Sequence, residues 1–137
     1  MQALCDAARR GVHVRALVAG PHIDKEFVRV AGRGAYATLL DCGVEVFEYQ
    51  PTMLHAKTLC IDGAWASVGS VNFDNRSFQL HDEATLCVQS ERFAALLGEQ
   101  FERDLDVSEE IRPGRWRDRP LRQRALERVL TLARREL

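Results

Sequence analysis

His55 and Lys57 stand two apart in the stretch His55-Ala56-Lys57-Thr58-Leu59-Cys60-Ile61-Asp62, and six residues later comes Gly69-Ser70-Val71-Asn72. An imidazole can attack phosphorus, an ammonium can hold a phosphate oxygen, and a hydroxyl with a carboxamide can complete the cradle. Together these groups suit a site that handles phosphodiesters. A histidine alone on a strand is more often a core or surface residue than a catalyst. The whole constellation at this spacing is what points to chemistry.

The elements that must position these groups are strands. In an extended segment side chains alternate between faces, so His55 and Lys57 point the same way and Ala56, Thr58 and Cys60 the other. Asp62-Gly63 is a hairpin signal between Leu54 to Ile61 and Ala64 to Val68. That hairpin returns Ser70 and Asn72 toward His55 and Lys57. An aspartate before glycine is also what turn geometry asks for by itself, so Asp62 reads first as the residue that holds the hairpin. Gly69, without a Cβ, lets its strand approach a phosphate or a neighbouring strand closely.

On these residues the chain resembles the phospholipase D superfamily, whose signature H-x-K-x4-D-x6-G-S-x-N is matched at every specified position from His55 to Asn72. The resemblance implies a mechanism through a covalent phosphohistidine. His55 would be the nucleophile or its acid/base counterpart, Lys57 and Asn72 would bind phosphoryl oxygens, and Ser70 would join the same cradle. Asp62 belongs to the catalytic motif in the family pattern. Glu83, eleven positions beyond Asn72, stands where the family carries an acid that orients an imidazole, fixing its tautomer and stabilising its charged form. The runs Gly43-Val44-Glu45-Val46-Phe47-Glu48-Tyr49-Gln50-Pro51, Trp65 to Ser70 and Asp74-Asn75-Arg76-Ser77, with Trp116 and Arg119-Pro120-Leu121, are similar to the C-terminal half of bacterial cardiolipin synthases.

Family sites are built from two such motifs, and this sequence holds one. The resemblance therefore implies a second motif-bearing half, from another chain or from a homodimer. The sequence opens in a helix where the family would already have laid down a strand, so the expected fold is an α/β half domain, a mixed β-sheet flanked by helices, lacking its N-terminal strands.

Charge is divided along the chain. Residues 1–111 carry 10 Lys and Arg against 17 Asp and Glu, whereas residues 112–137 carry 9 Arg against 3 acids. An acidic body argues against broad, sequence-independent nucleic-acid binding, which depends on cationic surface to release counterions. The four cysteines, at 5, 42, 60 and 87, show no C-x-x-C pair and no companion histidines at zinc spacing, so neither a metal site nor a disulfide framework is expected. They read as small core residues in a reducing cytosol. No cofactor is implied. No run of 18 or more apolar residues is present and the first residues are not a leader.

Along the chain the expected elements are a helix over Ala3 to Arg10, a strand over Val12 to Val18, and a helix from Ile23 to Cys42 weakened by Gly32 and Gly34. A strand over Val44 to Tyr49, the motif hairpin, a loop around Asp74 to Gln79 and a strand over Ala84 to Gln89 follow. Ser90 then caps a helix to Leu105. Arg112-Pro113-Gly114 is a loop signal. The division expected is residues 1–111 as catalytic half domain and 112–137 as a basic tail. From Leu121 to Leu137, Leu121, Ala125, Leu126, Val129, Leu130 and Leu132 share one helical half with Ala133 and Leu137, opposite Arg124, Arg128, Arg134 and Arg135. Such a helix fits an anionic membrane surface or a packed position on the body. Trp116 fits a lipid interface or the same packing.

Three functions remain open on this reading. The first, implied by the resemblance, is a phosphatidyltransferase of the cardiolipin synthase type that acts on phosphatidylglycerol, peripheral at the cytoplasmic face of a bacterial inner membrane, with no nucleic-acid partner. The second is a single-motif homodimeric phosphodiesterase or nuclease. The third is an inactive fragment of a two-motif enzyme.

Overall fold

The opening helix is α1 (Gln2–Arg9) in this computed structural model, which describes residues 1–23, 26–70, 83–120, 122 and 125. After β1 (Arg15–Ala19), two helices, α2 (Glu26–Arg33) and α3 (Tyr36–Asp41), replace the single helix expected from Ile23 to Cys42. The break falls at Gly34-Ala35, where glycine costs a helix most. β2 (Glu45–Tyr49), β3 (Thr58–Ile61), β4 (Trp65–Gly69) and β5 (Thr85–Gln89) follow, then α4 (Glu91–Asp106), β6 (Ser108–Glu110) and α5 (Pro113–Arg117). β6 was not expected, because three residues are too few for alternation to register. Arg112-Pro113-Gly114, expected as a loop, opens α5 instead, with Pro113 at the first helical position where its missing N–H costs nothing.

The chain forms two units, Met1–Leu54 with Val107–Leu137, and His55–Asp106. In the first, β1 and β2 are parallel, from Arg15 opposite Glu45 to Ala19 opposite Tyr49, and β6 runs antiparallel to β2. A parallel pair needs a long crossover, supplied by α2 and α3. Val46 and Glu48 point inward from β2 while their neighbours stay partly exposed. The core gathers Cys5, Tyr36, Leu39, Leu40, Cys42, Val44, Val46, Ile111 and Trp116.

Three features of this unit bear on the expectations. Cys5 and Cys42 are joined in a disulfide, with Cα atoms 5.2 Å apart, whereas Cys60 and Cys87 are free and exposed. Cys5 and Cys42 take the core positions expected of them but as a disulfide, and the expectation of core thiols is corrected for Cys60 and Cys87. Cys5 of α1 meets Cys42, the C-cap of α3, although 37 residues separate the two, a proximity that motif spacing could not reveal. Glu48, 1% exposed, is met by Arg29 Nη2 at 2.8 Å, Arg33 Nε at 3.1 Å and the Tyr36 hydroxyl at 3.1 Å. A buried carboxylate is tolerable only when its charge and lone pairs are matched in this way. Trp116 is 5% exposed and packs on Tyr36 with ring centroids 5.2 Å apart and the planes tilted by 41°. Of its two expected positions, it takes the packed one.

In the second unit, β3, β4 and β5 form an antiparallel sheet in that order. Cys60, Ala66 and Val88 lie in register across it, and the Cys60 thiol donates to the Ala94 carbonyl of α4 at 3.6 Å. Ala66 and Ala94 are only 0% and 1% exposed, small side chains that let the helix sit close to the sheet. Ser90 caps α4 as expected, its Oγ accepting the Phe93 N–H at 3.3 Å. The mixed sheet flanked by helices is thus divided into two three-stranded sheets, one mixed and one antiparallel.

Asn72, the loop around Asp74 to Gln79, His81, Asp82 and most of the tail from Leu121 to Leu137 lie outside the described residues.

Candidate active site

The Asp62-Gly63 signal produces the hairpin it promises. Both residues take positive φ, 51° and 62°, the combination a tight hairpin turn requires, and the Ala64 N–H closes it on the Ile61 carbonyl at 3.1 Å. From this turn the ladder runs through Ile61 opposite Trp65 to Thr58 opposite Val68. The Gly69 N–H then reaches the Lys57 carbonyl at 3.1 Å. Lys57 is therefore held by the ladder although it precedes β3, and the strand begins later than the expected Leu54.

That register fixes which motif residues meet. His55 and Lys57 precede β3, Ser70 follows β4, and Glu83 precedes β5 by two residues. In an antiparallel sheet these are neighbouring strand ends, so the four residues share the sheet end away from the turn. Asp62 lies at the opposite end, five positions from Lys57, about 16–17 Å at the rise of a strand. His55 is exposed and Lys57 half-buried. The Lys57 ammonium donates to the His55 carbonyl at 3.2 Å, which bends the cation back over its own strand end.

Ser70 is more than a hydroxyl in a cradle. Its backbone N–H donates to the Ala84 carbonyl at 2.9 Å, and its Oγ accepts the Ala84 N–H at 3.1 Å. These bonds tie β4 to the residue next to Glu83, which is itself partly buried. Gly69 reads clearly here. A Cβ at this position would run into the Ala84 carbonyl oxygen and stand 2.7 Å from Thr85 Cα, so the close approach is to β5. Thr85, opposite Gly69, places a further hydroxyl at this end that the motif did not name. Its signal was its place on the expected strand, in register with Gly69 across the sheet.

Among the described residues no cluster of three or more His, Cys, Asp and Glu could hold a metal ion. An exposed imidazole, an adjacent ammonium, a hydroxyl and a carboxylate on one sheet end suit nucleophilic and proton-transfer work on a phosphate ester.

The family model described as cardiolipin synthase, PLD-like domain, matches residues 1–105. This chain belongs to that phospholipase D-like family. Cardiolipin synthase A of Erwinia tasmaniensis is 36% identical over 129 residues, which are 94% of this chain and 26% of that protein. Cardiolipin synthase A of Yersinia pseudotuberculosis matches with the same identity and coverage. The chain thus spans about a quarter of these relatives' length. Among solved structures, the phospholipase D family member Nuc from Salmonella typhimurium superposes with a TM-score of 0.68 at 19% identity, over 81% of this chain and 72% of that one. This likeness shows that the phospholipase D-like fold is shared.

Proposed function

We propose that this chain is a phosphatidyltransferase half-site of the cardiolipin synthase type. His55 attacks the phosphorus of a phosphatidylglycerol, and the bond to the glycerol headgroup breaks. The leaving alkoxide takes its proton from a second histidine, supplied by another motif-bearing half. The hydroxyl of a second phosphatidylglycerol gives up a proton to that histidine and attacks the phosphohistidine, which releases cardiolipin and restores His55. Lys57 and Asn72 donate to the phosphoryl oxygens where charge builds, Ser70 donates beside them, and Glu83 orients an imidazole. Asp62 serves by holding the turn. Residues 1–111 act as the catalytic half and 112–137 as a basic tail. The tail, with its amphipathic helix, draws the protein to the anionic cytoplasmic face of the inner membrane.

What supports this reading is the convergence of His55, Lys57, Ser70 and Glu83 on one sheet end, together with membership of a family described by cardiolipin synthase. Its test is native mass combined with phosphatidylglycerol turnover on the purified chain, with His55→Ala as control. A dimer that makes cardiolipin and loses this activity on His55→Ala carries the proposal. An inactive chain that stays inactive when mixed with an independent motif-bearing half would overturn it in favour of an inert fragment.

A second reading, a homodimeric phosphodiesterase with two motifs across a two-fold axis, is favoured by one observation. The match to the Salmonella protein covers 72% of a solved family member, so a chain near this size can carry the fold. Cleavage of a soluble diester by the dimer, with phospholipid left intact, would select it.

A further inference from the structure

A cavity of about 170 Å³ opens in the unit formed by Met1–Leu54 and Val107–Leu137, and four of its lining residues are arginines: Arg33, Arg112, Arg115 and Arg119. Trp116 forms part of the same wall. None of these residues belongs to the His55 motif. The volume is several times the roughly 30 Å³ that a water molecule takes in the liquid.

The sequence brings the arginines together in a simple way. Arg115 lies within α5, Arg112 is the extended residue that caps its start and Arg119 follows its C-cap Asp118, so one short helix gathers all three along the cavity wall. Arg33 comes from the end of α2. Two of the four are oriented by Trp116: the guanidinium carbons of Arg33 and Arg119 lie 5.2 Å and 3.9 Å from the ring centroid. Arg119 also donates to the Trp116 carbonyl. Stacking uses the face of a guanidinium and hydrogen bonding uses its edge, so a stacked arginine is pre-oriented as a fork. Two carboxylates, Glu109 and Glu110, also border the cavity. Arg112 Nε pairs with Glu110 at 3.0 Å and Arg33 Nε with the buried Glu48 at 3.1 Å, so Arg115 and Arg119 carry the excess positive charge of the lining within a body that is otherwise acidic. The Trp116 indole N–H is buried and has no acceptor among the described residues. The wall is therefore rich in donors and short of acceptors.

We propose that this cavity is a phosphate-ester site separate from the catalytic motif. A carboxylate presents its two oxygens in one plane and is satisfied by a single fork, whereas the tetrahedral phosphate of an ester presents two or three terminal oxygens in different directions and can take donors from several arginines at once. The ester is either a soluble glycerol phosphate or the headgroup of an anionic phospholipid, which share that chemistry. The proposal does not depend on the phosphatidyltransferase reading.

The test uses the full chain, ¹⁵N-labelled, titrated with glycerol 1-phosphate and followed by NMR at the Trp116 indole N–H, a position outside the His55 motif. A saturable shift is expected, weakened about tenfold or more by Arg115→Gln, the loss of one charge-assisted contact. Arg115 is exposed, so this change leaves the Trp116 packing in place. Co-sedimentation with phosphatidylcholine vesicles, with and without phosphatidylglycerol, then separates the two sources. Binding to the anionic vesicles that glycerol 1-phosphate reverses and Arg115→Gln weakens supports a lipid headgroup. Binding of the soluble ester alone supports a free phosphate ester. An indole resonance that does not move, with vesicle binding indifferent to Arg115→Gln, overturns the site.

Discussion

At the scale of single residues, the motif divides into groups that meet the substrate and groups that shape the chain. His55→Ala is expected to abolish turnover, and Lys57→Ala to lower it about 10²- to 10³-fold, the effect of removing one donor to a developing charge. Asp62→Asn keeps a side chain that tolerates positive φ and lies at the far end of the hairpin. It is expected to stay within a few-fold of the wild type in the same assay, and a loss as large as that of Lys57→Ala would return Asp62 to the chemistry. The sequence made this residue type legible, and its place at the turn was legible too. The cluster around Glu48 was not, because Arg29, Arg33 and Tyr36 reach it across a crossover that no local pattern records. Burial and the neighbouring Glu48 carboxylate push the Tyr36 hydroxyl far above its ordinary value of 10.0. Below that value both folded and unfolded chains keep the proton. Above it the unfolded chain releases the proton while the folded one retains it, so stability falls as pH rises past about 10. Denaturant titrations from pH 9 to 11 should show a decline that Tyr36→Phe flattens.

At the scale of elements, the sheet of the second unit depends on how closely β4 approaches β5. Gly69→Ala would force its methyl into the Ala84 carbonyl and Thr85. The expected loss is about 1–3 kcal/mol, the usual cost of overpacking, read as a lower urea midpoint. Activity should fall with it, since Ser70 and Glu83 flank that contact. In the other unit α1 is fastened to the end of α3 by the Cys5–Cys42 disulfide. Reduction, or Cys42→Ser, should cost about 3–4 kcal/mol by the loop-entropy account, measured by thermal unfolding with and without reductant. Regular elements with caps and turns were legible in the sequence: α1, the Asp62-Gly63 hairpin and α4 with Ser90 all lie close to where local rules put them. The divided helix was half legible, since Gly32 and Gly34 marked its weak middle, but β6 and α5 were not, because each depends on tertiary contacts: Ile111 N–H bonds to the Val46 carbonyl, and Trp116 packs on Tyr36.

At the scale of the whole molecule, the basic tail is two things. Its first part is structural, since Trp116 is a core residue and Arg117 pairs with Asp41 at 2.8 Å. A chain cut after Ile111 loses Trp116, at about 3–5 kcal/mol for an indole of this burial. A chain cut after Pro120 keeps it. Comparing the two by thermal unfolding and vesicle binding separates folding from membrane attachment: the shorter chain should lose stability, and the longer should keep it while binding anionic vesicles less well. The division of the chain also sets an order of assembly. His55–Asp106 is continuous, and its strand pairs are local, so it can finish folding while the ribosome is still adding residues. The unit that surrounds it in sequence cannot close until β6 and Trp116 have emerged, after the whole of His55–Asp106. Until then Tyr36 and the β2 edge have nothing to cover them, and a stalled or prematurely ended nascent chain would expose that half to chaperones and proteases while its motif-bearing half was already formed.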